Sequence, residues 1–119
     1  MHDGRFDQRE LLTDVTERAS RFLLALPERR VAADPAAVAA LEAWSTSMKL
    51  PEVGIAPRDV VAELDARLSA ATVASPGPRF FGFVHGGSLP AALAANWLAG
   101  AWDQNAFSTA SSPAGVLIE

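Results

Sequence analysis

RFFGFVHGGSLPAALAANWLAGAWDQN, Arg79 to Asn105, is the stretch on which the reading of this chain turns. It opens on Phe80-Phe81-Gly82-Phe83-Val84, short, aromatic and bounded by breakers on both sides. That pattern predicts one short extended segment near 80–84 rather than a helix. Gly82 between aromatic neighbours predicts a bend or a close backbone approach. Gly86-Gly87 allows a tight turn with positive φ, and Ser88 is then placed to cap a helix with Pro90 in its first turn. In that helix Leu93, Trp97 and Ala101 lie on one side, and Leu89, Leu98 and Trp102 on others. A helix apolar almost all round is normally buried within a larger body. Asp103-Gln104-Asn105 ends it with a polar cluster whose default role is C-terminal capping.

The same stretch carries the candidate chemistry. Two glycines ahead of a helix N-terminus can present backbone N–H groups to a carboxylate or phosphate. The pattern is neither a Walker loop nor a GxGxxG fingerprint, so a small anion-binding domain built on Gly86-Gly87-Ser88 rests on a weak signal. His85 is open to three readings: an acid–base group, a hydrogen-bond donor to a ligand, or a turn residue. No acidic partner lies nearby in sequence, which favours the turn residue.

Upstream, three amphipathic helices are predicted. Residues 7–30 place Leu11, Leu12, Val15, Ala19, Phe22, Leu23 and Leu26 on one face at three- and four-residue intervals. Pro27, which has no backbone N–H to donate, ends or bends this helix. Asp34-Pro35 starts a second helix through about Ser47, with Val38, Leu41, Trp44 and Met48 sharing a face. Pro51 and Gly54 break the following linker. Pro57 opens a third helix, with Val60, Val61, Leu64 and Leu68 facing inward, that fades at Ala74-Ser75-Pro76-Gly77-Pro78. Downstream, Ser112 caps the start of a fifth helix with Pro113 at its first position. Val116-Leu117-Ile118 carries no C-cap, so the expectation is the front of a longer protein.

The totals bound the rest. The 119 residues are enough for one core, half of them are hydrophobic and 20% are charged, a composition that folds. A net charge of -4 argues against a nucleic-acid partner. The chain has no cysteine, and therefore no disulfide framework, thiolate nucleophile or cysteine-based metal site. The first residues are charged and lack an apolar h-region, so no secretory signal is expected there. The Leu89–Trp102 run falls short of the roughly 20 apolar residues of a membrane span, so no membrane partner is expected.

As an ordered set, four elements resemble the N-terminal part of the group II pyridoxal-phosphate-dependent decarboxylases, the family of aromatic-amino-acid and glutamate decarboxylases. They are Pro78-x-Phe80-Phe81-Gly82, then Gly86-Gly87-Ser88-x-Pro90-Ala91, then Trp102-x-Gln104-Asn105, then Ser112-Pro113-Ala114 ending in Glu119. They lie within about the last third of the chain. The resemblance implies a mainly α segment, about four helices, the extended segment and the start of a fifth helix. This would be the N-terminal part of an aspartate-aminotransferase-like (fold type I) α/β enzyme.

Residues 1–77 would form a helical arm wrapping a partner subunit. Residues 78–119 would supply a substrate-pocket segment and the start of the large cofactor-binding domain. A cytoplasmic homodimer acting as a carboxy-lyase on an amino acid is implied. Phe83, Val84, His85, Gly86 and Gly87 would lie near the substrate side chain or carboxylate, and Phe107 would approach the same pocket. The cofactor is pyridoxal 5'-phosphate, whose chemistry needs a Schiff-base lysine, an acid on the pyridine nitrogen and a residue stacked on the ring. In the family these lie downstream of the matched stretch, so no catalytic residue is expected here. Lys49, the one lysine, sits in a linker outside any His-Lys context, and covalent cofactor binding to this chain is not expected. The alternative is a stand-alone helical dimerisation or interaction module without catalysis.

Overall fold

The computed structural model describes residues 7–104 and 108–118. It is helical, with no strand among the described residues. The helices are α1 (Gln8–Ala25), α2 (Pro35–Ser47), α3 (Pro57–Leu68), α4 (Pro90–Trp102) and α5 (Pro113–Ile118), with a 3₁₀ turn at Ser69–Ala71. The chain divides into two compact units, Met1–His85 and Gly86–Glu119.

In the first unit each helix begins where short polar side chains or proline favour it. Asp7 caps α1, its carboxylate accepting from the N–H groups of Arg9 at 2.9 Å and Glu10 at 3.3 Å. Asp34 caps α2 through the Ala36 N–H at 3.1 Å, with Pro35 in the first turn. Pro57 opens α3 after Ala56, which offers no side-chain cap. Such caps satisfy N–H groups that have no partner within the helix.

α1 is shorter than the sequence predicts, ending at Ala25 rather than residue 30. The chain turns there through Pro27, with the Glu28 and Arg29 N–H groups both donating to the Ala25 carbonyl. α3 likewise stops at Leu68 and tightens into the 3₁₀ turn. Trp44 of α2 meets Arg67 of α3, whose guanidinium carbon lies 4.7 Å from the indole centroid. The loop before α2 is tied to the 3₁₀ turn and its exit by Asp34 N–H to Ala70 O at 3.0 Å and Ala74 N–H to Val31 O at 2.9 Å.

Leu26 and Ala74 are the buried apolar residues among those described. Beside them Arg29 acts as a clasp. Its guanidinium donates to the Ser69 carbonyl and, at 3.3 Å, to the Thr72 hydroxyl, and it lies 4.6 Å from the Phe22 ring centroid. Its Nε is buried without a hydrogen-bond partner. The Arg29 carbonyl in turn accepts from the Arg79 guanidinium. One residue thus joins the end of α1 to residues 40 to 50 positions further on.

In the second unit α4 begins without help from a side chain. The N-cap is Leu89, not Ser88, and no side-chain hydrogen bond is made there. Extended backbone at Leu89 (ψ 141°) moves the cap one residue past the serine. At the other end Asp103 adopts the left-handed conformation (φ 48°) and its N–H donates to Ala99 O at 3.1 Å. Gln104 Nε2 adds a bond to the Trp102 carbonyl at 2.8 Å. The polar cluster therefore does cap the helix at Asp103 and Gln104, while Asn105 lies outside the described residues. Ser112 caps α5 as its sequence predicts, accepting from Gly115 N–H at 3.0 Å, and is fully buried.

Candidate functional site

The extended segment expected near 80–84 is a tight turn instead. Phe83 and Val84 both take positive φ, 55° and 56°, and the His85 N–H donates back to the Gly82 carbonyl at 3.3 Å. Positive φ at both central residues is the arrangement that ordinarily calls for Asn-Gly or Gly-Gly. The aromatic and β-branched composition pointed to a strand because it is what strands favour. No neighbouring strand exists among the described residues to pair with it, and the chain closes on itself.

Side chains around Gly82 drive that closure. The Phe80 ring lies over the glycine, where a Cβ would stand 3.2 Å from the ring's Cζ. Phe80, Phe83 and His85 then form a cluster, with ring centroids 5.7 Å apart for Phe80–His85, 6.3 Å for Phe83–His85 and 6.5 Å for Phe80–Phe83. Phe81 and Val84 point away and stand 93% and 103% exposed.

The magnitudes nearly cancel. Left-handed backbone costs an L-residue about 1–2 kcal/mol, so the pair carries about 2–4 kcal/mol of strain. Against it stand one hydrogen bond, worth about 0.5–1.5 kcal/mol, and ring contacts of about 0.5–1.5 kcal/mol each when well packed. Phe83 is 86% exposed, which puts its contacts at the low end.

Of the residues implicated by resemblance, the structure brings Phe83 and His85 together and turns Val84 outward. Gly86 and Gly87 begin the second unit, where Gly87 takes φ 75°, the conformation its sequence allows. Phe107 lies outside the described residues. Phe80 is the member of the ring cluster that the resemblance names as a motif residue but does not place near the substrate. Its spacing of three from Phe83 and five from His85, around a glycine, was the available signal.

Elsewhere in the first unit an open groove of about 410 Å³ runs between α1 and α3, lined by Val15, Phe22, Val61, Leu64 and Leu68 among others. Beside it Arg18 donates to Asp14 and Asp65, each at 2.9 Å. Those two hydrogen bonds, Asp14 first, raise the guanidinium above the ordinary arginine pKa. A raised cationic pKa adds stability that is present below the unfolded value and is lost only as pH rises through the folded one. That window lies far above neutrality, so the effect is constant through the physiological range.

Lys49 is exposed, between the end of α2 and Pro51. Among the described residues no group of three or more His, Cys, Asp or Glu could hold a metal ion, and no helix is long and apolar enough to cross a membrane. Compared with protein-family models, curated proteins and solved structures, the chain matches no family and no individual protein.

Proposed function

We propose that this chain supplies the N-terminal segment of a pyridoxal-phosphate-dependent amino-acid decarboxylase. In this reading the enzyme is a cytoplasmic homodimer of fold type I, and residues 1–77 form its helical arm. The 80–87 segment forms one wall of a substrate pocket, with Phe83, Val84, His85, Gly86, Gly87 and Phe107 nearest the amino acid. The observation that carries the reading is the ordered set of motifs from Pro78 to Glu119. The helical order around it is consistent with an N-terminal arm, and α4 supports the reading further. It is uncharged and apolar on several sides, yet Leu89, Leu98 and Trp102 stand 74%, 51% and 62% exposed. Such a helix suits burial in a larger body.

The residues of this chain do not furnish the cofactor's lysine, so their share is to shape and orient. His85 is a side chain that could donate to a substrate group from beside the aromatic rings. The cheapest test is the reading frame beyond the codon for Glu119, in which a His-Lys pair is expected. Borohydride reduction in the presence of pyridoxal phosphate should then label that downstream lysine in the full-length product. The 119-residue chain alone should take no stoichiometric label, and labelling at Lys49 would overturn this assignment. A stop codon directly after Glu119 would favour the second reading, a helical interaction module. The open apolar groove between α1 and α3 is the feature that suits such a module.

A further inference from the structure

We infer that Gly82–His85 is a two-state turn, exchanging between the left-handed form and an extended form with different sets of side chains grouped together. The inference rests on the turn itself and not on the decarboxylase reading. Four observations carry it. Phe83 and Val84 are consecutive non-glycine residues at positive φ, and one of them is β-branched, the residue class least suited to that region. A single backbone hydrogen bond closes the turn. Both side chains stand in solvent, so no packed shell over-determines the strain, as strained sites ordinarily require. The composition of residues 80–84 favours extended backbone. Strain and closure are of similar size, which leaves the minor form populated at about the 1–10% level or above.

The two forms present different surfaces. In the turn, Phe80, Phe83 and His85 cluster. In extended backbone alternate residues share a face, so Phe81, Phe83 and His85 fall on one side and Phe80 and Val84 on the other. The imidazole thereby loses Phe80 and keeps Phe83 as its aromatic neighbour, while Phe81 joins that face about 13 Å further along. Gly82 serves both forms: it admits the Phe80 ring in the turn and adds no side chain to either face when extended.

The test uses NMR on the complete 119-residue chain, with Cα shifts and amide exchange read at Gly82 and His85 in three proteins. The Phe83→Asn/Val84→Gly variant installs the pair this turn geometry prefers and should raise the ratio of turn to extended form about tenfold or more. Phe80→Ala removes ring contacts and should lower it by about two- to tenfold. Native values should fall between those of the two variants, with the His85 amide most protected in Asn-Gly and least in Phe80→Ala. Averaged or doubled signals both report the populations, so the result does not depend on the rate of exchange. Native values that coincide with Asn-Gly and do not move in Phe80→Ala would mean one rigid turn and overturn the proposal. Wholly extended shifts in the native chain would overturn it as well. Unchanged helical circular dichroism in both variants separates these outcomes from loss of fold.

Discussion

Helices α2 and α4 are each 13 residues long and each begins with proline, yet they are secured in different ways. α2 has a carboxylate cap at Asp34 and an Arg67–Trp44 contact to α3. α4 has no side-chain cap at its start and exposes large apolar residues along its length. The difference teaches that proline at the first turn sets where a helix starts, while its stability comes from partners. By that measure α2 finds its supports within the first unit. The second carries apolar surface whose supports are not among its own described residues.

Substitutions can break or sharpen this contrast. The largest effect is expected at Leu26, 7% exposed beside Ala74: Leu26→Ala should cost the first unit about 2–4 kcal/mol in denaturant unfolding. A loss below about 1 kcal/mol would show that this unit has no working core. Next comes Arg29→Ala, which removes the Nη2 bonds to Ser69 and Thr72 and the contact with Phe22, at about 1.5–3 kcal/mol. Arg29→Lys should recover only part, because an ammonium can donate to Ser69 and Thr72 but lacks the planar face that meets the Phe22 ring.

Capping gives a smaller and opposite pair. Asp34→Ala should cost about 1 kcal/mol, whereas Leu89→Ser, which gives α4 the cap it lacks, should gain about 0.5–1 kcal/mol of helix stability. Equal effects in both helices would dissolve the comparison. Smallest of all, Trp102→Gln should shift the stability of the isolated chain by no more than about 0.5 kcal/mol, the range of surface substitutions. A large loss there would show that α4 is already packed.

The sequence made the helices of the first unit legible because their signals were local. Asp34-Pro35 and Pro57 mark starts that the structure keeps, and the spacing of Leu11, Val15, Phe22 and Leu26 marks the covered side of α1. Its ends were less legible: α1 stops five residues early because turn hydrogen bonds to Ala25 compete with further helix. The 80–84 segment misled for a different reason. Its composition favours a strand, but a strand needs a partner, and composition does not record whether one exists. Ring contacts across Gly82 instead offset much of the strain of a turn. Ser88 misled similarly, since a serine beside a helix caps it only if the backbone places it one residue before the first turn. The candidate site was legible as a set of residue types but not as a grouping, and Phe80 entered it through space.

The Arg29 clasp has a consequence for how the chain is made. Synthesis runs from the N-terminus at about 5–20 residues per second, and the hydrogen-bond partner furthest along the chain is Arg79, 50 positions later. α1 therefore emerges about 3–10 s before its clasp can be completed. Until Ser69 and Thr72 have been made, the Arg29 cation has neither of its acceptors. The last of the Arg29 bonds therefore forms only once synthesis has reached the start of the aromatic turn.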